Sequence, residues 1–188
     1  VYKRQNMHRQ MPLTHAEKYK LRIIWYWYPL YCLGGISFLS FIILVLTGTV
    51  LGIYYVPGGE GIPSPAYLSM QYIMTELPFG YIIRAVHHWG THFMVASVFL
   101  HMCRVYFTGA YRNPRELNWL IGVALLALTI VFGYSGYLLP WDSLAYGAAV
   151  IGINLANSSP LVGKQIATLL FGGSALTPRT VTRMYFIH

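Results

Sequence analysis

Four of the chain's histidines, His87, His88, His92 and His101, fall in one stretch of nineteen residues that contains no carboxylate, lysine or arginine. Imidazole carries protons and is the commonest metal ligand, and at membrane depth an ionisable side chain is expensive, so each of the four marks a candidate site. Spacing sorts them. His87 and His101 are fourteen positions apart, which on a helix is within ~40° of whole turns and ~21 Å along the axis. They share a face, while His88 points nearly away from His101. Two imidazoles that far apart cannot share one metal ion, but each can supply an axial ligand to its own haem, one near each side of a bilayer. The same spacing also fits two histidines hydrogen-bonded into helix packing. His88 and His92, four positions apart, could begin a zinc site, but no third ligand accompanies them.

The elements that would position these residues follow from composition. Only 10% of the 188 residues are charged, 56% are hydrophobic, and mean hydropathy is +0.49. A soluble domain carries about 25% charged residues, so this composition excludes an ordinary soluble fold and points to an all-α integral membrane protein. Three uncharged stretches, 31–55, 85–103 and 117–141, match the ~20 residues a helix needs to cross a bilayer. Residues 143–163 contain Asn154, Asn157, Ser158, Ser159 and Pro160, which suit two short interfacial helices split at the proline better than a span. A fourth helix is expected to start after Pro178 and to hold His188.

Charge sets the expected orientation. Lys3, Arg4, Arg9, Lys18, Lys20 and Arg22 precede the first span, and Arg104, Arg112 and Arg115 follow the second. The positive-inside rule puts both segments, and the N-terminus, on the cytoplasmic side, with the turn-rich loop Pro57–Pro65 outside. Residues 1–30 read as a cytoplasmic, interfacial arm and 31–188 as the membrane bundle. The net charge of +8 is therefore a membrane-face signal, and nucleic acid is not an expected partner. Cys32 and Cys103 form no C-x-x-C pair, and the first apolar run starts too late and runs too long for a signal peptide.

Glycines repeat the histidine interval. Gly34 and Gly48 in the first span, and Gly122 and Gly136 in the third, are each fourteen apart. Glycine at each level would leave room for a flat macrocycle, although small residues also serve plain helix packing in membranes. His188, on a helix entering from the same side as the second span, falls level with His87. The pair can hold one haem, while His101 needs a partner from beyond these residues.

The stretches Tyr31-Cys-Leu-Gly-Gly-Ile36, Arg84-Ala-Val-His87, Pro114-Arg-Glu-Leu117, Gly136-Tyr-Leu-Leu-Pro-Trp-Asp142 and Thr182-Arg-Met-Tyr-Phe-Ile-His188 resemble the N-terminal, haem-binding half of cytochrome b, of the b6 type. The resemblance runs from about Tyr31 to His188. It implies a four-helix haem-binding bundle, here three complete transmembrane helices and the start of the fourth. His87 and His188 would ligate the outer haem iron and His101 the inner one, completed by a ligand about fourteen positions beyond His188. It further implies a covalent c-type haem at Cys32 beside two haems b, propionate contacts from Arg84, Arg104 and Arg115, and packing room at Gly34, Gly48, Gly122 and Gly136. An outer quinol pocket would be lined by Gly136, Tyr137, Leu138, Pro140, Trp141 and Asp142. Cys103 has no such context and reads as packing.

The function implied is transmembrane electron transfer in a quinol:cytochrome c (or plastocyanin-like acceptor) oxidoreductase, coupled to proton translocation. The chain would act as a subunit, inactive alone. The implied partners are a Rieske iron–sulfur protein, a subunit carrying the C-terminal half of cytochrome b with its Pro-Glu-Trp-Tyr segment, a c-type cytochrome and a second copy of the complex. The Pro57–Pro65 insertion and the Trp25-Tyr-Trp-Tyr28 run depart from the plant-type pattern and favour a bacterial respiratory membrane over a thylakoid. Two other readings stand beside it: a dihaem anchor of a quinone-linked dehydrogenase, which leaves Cys32 and Pro140-Trp-Asp142 idle, and, from a different class, a transporter with buried protonatable histidines.

Overall fold

A computed structural model describes the backbone of residues 15–188 and the side chains from Leu30 onward. The basic cluster of the expected arm and its Trp25–Tyr28 run lie outside the described side chains. Among the described residues there are seven helices and no strand: α1 (His15–Tyr54), α2 (Pro65–Thr75), α3 (Gly80–Phe107), α4 (Glu116–Leu138), α5 (Ser143–Ser158), α6 (Gly163–Phe171) and α7 (Arg179–Ile187). The first expected span is thus the second part of a longer helix. Leu30–Tyr54 and Glu116–Leu138 are both long and apolar enough to cross a membrane. Their apolar side chains stand outward, with Phe38 65% and Leu120 65% exposed, as suits a surface facing hydrocarbon rather than water. α3 has 28 residues, ~42 Å of helix, but its histidines and arginines make it less apolar than α1 or α4.

Helix ends follow local chemistry. The third expected span ran to residue 141, but α4 ends at Leu138, because Pro140 has no backbone N–H with which to continue the helical hydrogen-bond ladder. Trp141 then turns the chain with φ +49°, and the Asp142 carboxylate accepts a hydrogen bond from Ala145 N at 2.8 Å to start α5. The expected break at Pro160 separates α5 from α6. α2 was not expected from the sequence, yet its signals are local: Ser64 Oγ accepts from Tyr67 N at 3.3 Å, and Pro65 occupies the first helical position.

α1 lies along α3, and their buried hydroxyls Ser37 Oγ and Ser97 Oγ meet at 3.0 Å midway. α4 touches α3 and α7, while α2 tucks between the ends of α1 and α3. The well-packed core sits at one end, where α5, α6 and α7 fold over the end of α4. There Leu138, Ala149, Ile153, Ala167, Phe171 and Met184 form one cluster, and Tyr55, Ala66, Ile73 and Val181 form a second beside it. This cap fixes where α7 enters and therefore where His188 stands.

Phe171 is 2% exposed at the centre of the first cluster, whereas Leu155 is 70% exposed on the outer face of α5. Phe171→Ala should cost about 3–5 kcal/mol and lower the thermal midpoint of the purified protein by several degrees. Leu155→Ala should leave that midpoint unchanged.

Candidate functional site

Two cavities open between the helices, one at each histidine level. The first, of about 340 Å³, is lined by His87, His188, Gly48, Gly136 and Arg84, together with His88 and His92. The second, of about 680 Å³, is lined by His101, Gly34, Gly122, Arg104 and Arg115. The residues singled out by spacing are therefore gathered by level.

At the first level, the His87 and His188 rings are 5.9 Å apart between centroids, nearly perpendicular. One metal ion between two imidazoles, each bond ~2 Å, places ring centres ~6 Å apart, so the pair has the spacing of two axial ligands. Their hydrogen bonds select the free nitrogen. His188 Nδ1 lies 2.9 Å from the Phe132 carbonyl oxygen, an acceptor only, so Nδ1 carries the proton. Thr47 Oγ1 donates to the Ile43 carbonyl at 2.8 Å and lies 2.9 Å from His87 Nδ1, from which it accepts. Both rings thus keep their Nε2 lone pairs free, with the outer nitrogen held as metal-binding histidines require.

Glycine provides the space. A Cβ on Gly48 would stand 2.9 Å from His87 Cε1, and one on Gly136 would stand 2.5 Å from His188 Cε1. Both are closer than real Cβ atoms approach, so each ring is seated against a bare stretch of backbone. Gly34 repeats this at the second level, 3.0 Å from His101 Cε1. Gly122 differs: the atom nearest its Cβ position is Met102 Sδ at 3.5 Å, so it widens the cavity without seating a ring.

His101 Nδ1 is buried and without a hydrogen-bond partner, as is Arg104 Nε. Such atoms cost ~1–3 kcal/mol unless something satisfies them. Both border the second cavity, so they fit an anionic, metal-containing ligand there. Arg104 also stacks on the Tyr31 ring, 4.1 Å from its centroid. Arg84 Nη1 donates only to Met74 Sδ, at 3.4 Å, a weak acceptor, which leaves the guanidinium capacity for a stronger anion.

Cys32 is half-buried and free, two positions before Gly34, but it does not line the second cavity. Of the expected quinol-pocket residues, Gly136, Tyr137, Pro140 and Asp142 line the first cavity, joined by Leu144 of α5. Leu138 and Trp141 do not. Leu138 is fully buried in the cap core, one position from Tyr137 and hence ~100° around the helix. Trp141 packs against Tyr146, 5.6 Å between centroids, because its left-handed backbone turns the ring into the cap. His88 and His92 stand 4.9 Å apart, and among the described residues no cluster of three His, Cys, Asp or Glu forms. Sequence reasoning missed Thr47 and the Phe132 carbonyl, since a lone threonine or a backbone oxygen carries no spacing signal.

Removing the Thr47 acceptor strips His87 Nδ1–H of its partner and makes its Nε2 a poorer electron donor. Thr47→Val should therefore raise the midpoint potential of a haem bound at this level and leave the other level unaltered. A redox titration of the two haems separately checks it.

The cytochrome b/b6/petB family model matches residues 17–188. The chain is 46% identical over 158 residues to cytochrome b6 of Heliobacterium modesticaldum, covering 84% of this chain and 72% of that protein. It is 43% identical over 159 residues to the menaquinol:cytochrome c reductase cytochrome b subunit of Bacillus subtilis, covering 84% and 69%. Among solved structures it resembles a chain of a hyperthermophilic respiratory Complex III, with TM-score 0.72 and 32% identity. That match covers 84% of this chain, which spans 42% of the Complex III chain's length. The extent of these matches, together with histidines, glycines and arginines sorted into two cavities, makes this chain a member of the cytochrome b/b6 family, whose members are membrane-embedded, haem-binding electron carriers.

Proposed function

We propose that this chain carries electrons across a bacterial cytoplasmic membrane, as the haem-binding subunit of a quinol:cytochrome c oxidoreductase, with its N-terminus on the cytoplasmic side. The observation that carries the reading is the sorting of the site residues by level in a cytochrome b/b6 chain: His87, His188, Gly48, Gly136 and Arg84 at one, His101, Gly34, Gly122, Arg104 and Arg115 at the other. α1, α3 and α4 would cross the bilayer, with residues 1–30 as an arm at its cytoplasmic face.

When bound, haem supplies one-electron redox chemistry at each level. The chain's own residues prepare the two places. His87 and His188 would present Nε2 to the outer iron, their Nδ1 protons fixed on Thr47 Oγ1 and the Phe132 carbonyl. His101 would present one nitrogen to the inner iron. Arg84 on the outer side, and Arg104 and Arg115 on the inner side, would hold propionates by charge-assisted hydrogen bonds. The apolar linings, Leu51 and Ile73 at one level and Phe38 and Leu125 at the other, exclude water and keep the local dielectric low. The ~21 Å between levels is what lets two carriers bridge the hydrocarbon layer.

Gly136, Tyr137, Pro140 and Asp142 would form part of the outer quinol pocket. The Bacillus subtilis relative is named for menaquinol, which favours that quinol here and a respiratory rather than a photosynthetic chain. The expected partners are a Rieske protein, the C-terminal half of cytochrome b, a c-type cytochrome and a second copy of the complex. Cys32, on the helix that carries Gly34, would bear a covalent c-type haem beside the inner level.

Two readouts on the purified complex test this. A dithionite-reduced spectrum should show b-type bands, and a denaturing gel stained for haem should show a band at this subunit. Cys32→Ser should lose the stained band and keep the b-type spectrum. Absence of any sharp ferrohaem band in the wild type would overturn the electron-transfer reading, and a stain-negative wild-type subunit would remove the covalent haem alone.

A further inference from the structure

The Pro57–Pro65 loop has no role in the reading above, yet its base is packed with care. Ala66 N donates to Gly58 O at 3.1 Å and closes the loop, and Gly59 N donates to Pro178 O at 3.2 Å. Pro178 is the capping residue of α7, the helix that carries His188. A Cβ on Gly59 would meet Pro178 O at 2.9 Å, Pro178 Cα at 3.1 Å and Trp141 Nε1 at 3.2 Å. The first two are backbone atoms and cannot rotate away. The loop apex is the opposite, with Ile62 fully exposed and no contact to lose.

We propose that Gly59 is a positioning residue for the outer haem: by letting the loop base lie directly on Pro178, it sets where α7 starts and so where His188 stands. This rests on the reading of His87 and His188 as an axial pair. A hydrogen-bonded helix moves as a unit, so displacement of Pro178 is passed to His188, ~15 Å away. Other contacts hold α7 further along. The Thr180 hydroxyl, fully buried, donates to Phe171 O at 3.0 Å, and the Tyr185 ring lies 5.3 Å from Tyr55. Gly59 to Pro178 acts at the helix start. The receiving end has little slack, because His188 is pinned between the Phe132 carbonyl and the bare backbone of Gly136.

The test uses the assembled, haem-loaded complex and reads the two b haems separately by redox titration and low-temperature EPR. Gly59→Ala keeps the N–H and adds one methyl. It should shift the midpoint potential and the low-spin ferric signal of the outer haem, with those of the inner haem as in the wild type. Ile62→Ala at the apex should move neither. An outer haem unaltered by Gly59→Ala would overturn the proposal, as would equal changes or loss at both haems, which would mean general damage. A wild-type complex lacking a low-spin, two-nitrogen outer haem would instead sink the axial-pair reading, so the two failures are distinguishable.

Discussion

The arrangement depends on one steric constraint: an imidazole on α3 can face a neighbouring helix at haem-compatible distance only where that helix has no side chain. His87 and His101 lie on one stripe of α3, and α1 runs along that stripe. Two α1 positions therefore have to be bare, at the same interval as the histidines. Gly48 and Gly34 are those positions, with added Cβ atoms at 2.9 and 3.0 Å from the imidazole carbons. The fourteen-residue repeat is thus a consequence of helix geometry acting on two partners at once. Gly136 applies the same rule to a ring delivered by another helix, α7. Once these rings are seated, α1 and α3 can close on each other through Ser37 and Ser97, and the remaining space falls into two separate cavities.

The second determinant is which nitrogen each ring offers. A histidine in an apolar cavity can turn either nitrogen inward, and only its neighbours decide. Thr47 and the Phe132 carbonyl both take the Nδ1 proton, by different routes: a hydroxyl already committed as a donor to its own helix, and a backbone oxygen. The cap of α5, α6 and α7 belongs to the same logic. It is the best-packed part of the described residues, although it lies at the end of the bundle, and it holds the start of the helix that carries His188.

Much of this was legible in the sequence, for physical reasons that differ by element. The second part of α1, α3 and α4 were readable as helices from long uncharged runs, and the histidine and glycine intervals were readable because helical periodicity converts spacing into direction. Pro160 marked the α5–α6 break correctly, as a proline without a backbone donor must. The end of α4 was set three residues too late, since Leu139, Pro140 and Trp141 are apolar and the run continued past the point where Pro140 stops the helix. α2 was passed over although Ser64-Pro65 signals a helix start, because its eleven residues lie in a segment read as loop. Leu138 and Trp141 were expected in a quinol pocket through the family resemblance; neither lines the first cavity, Leu138 being buried in the cap core and Trp141 packed on Tyr146. Tertiary acceptors such as the Phe132 carbonyl have no sequence signature at all.

By this reading, fourteen-residue spacing on α3 would provide two separate iron sites, with His87 and His188 sharing one of them through Nε2. A density map of the assembled complex, resolved well enough to orient imidazole rings, tests this most directly. One iron should have both His87 Nε2 and His188 Nε2 at the ~2 Å of a metal–imidazole bond, and a second iron should be bound by His101 at the other level. An iron bound by His88 or His92, or by His87 through Nδ1 with Thr47 displaced, would contradict it.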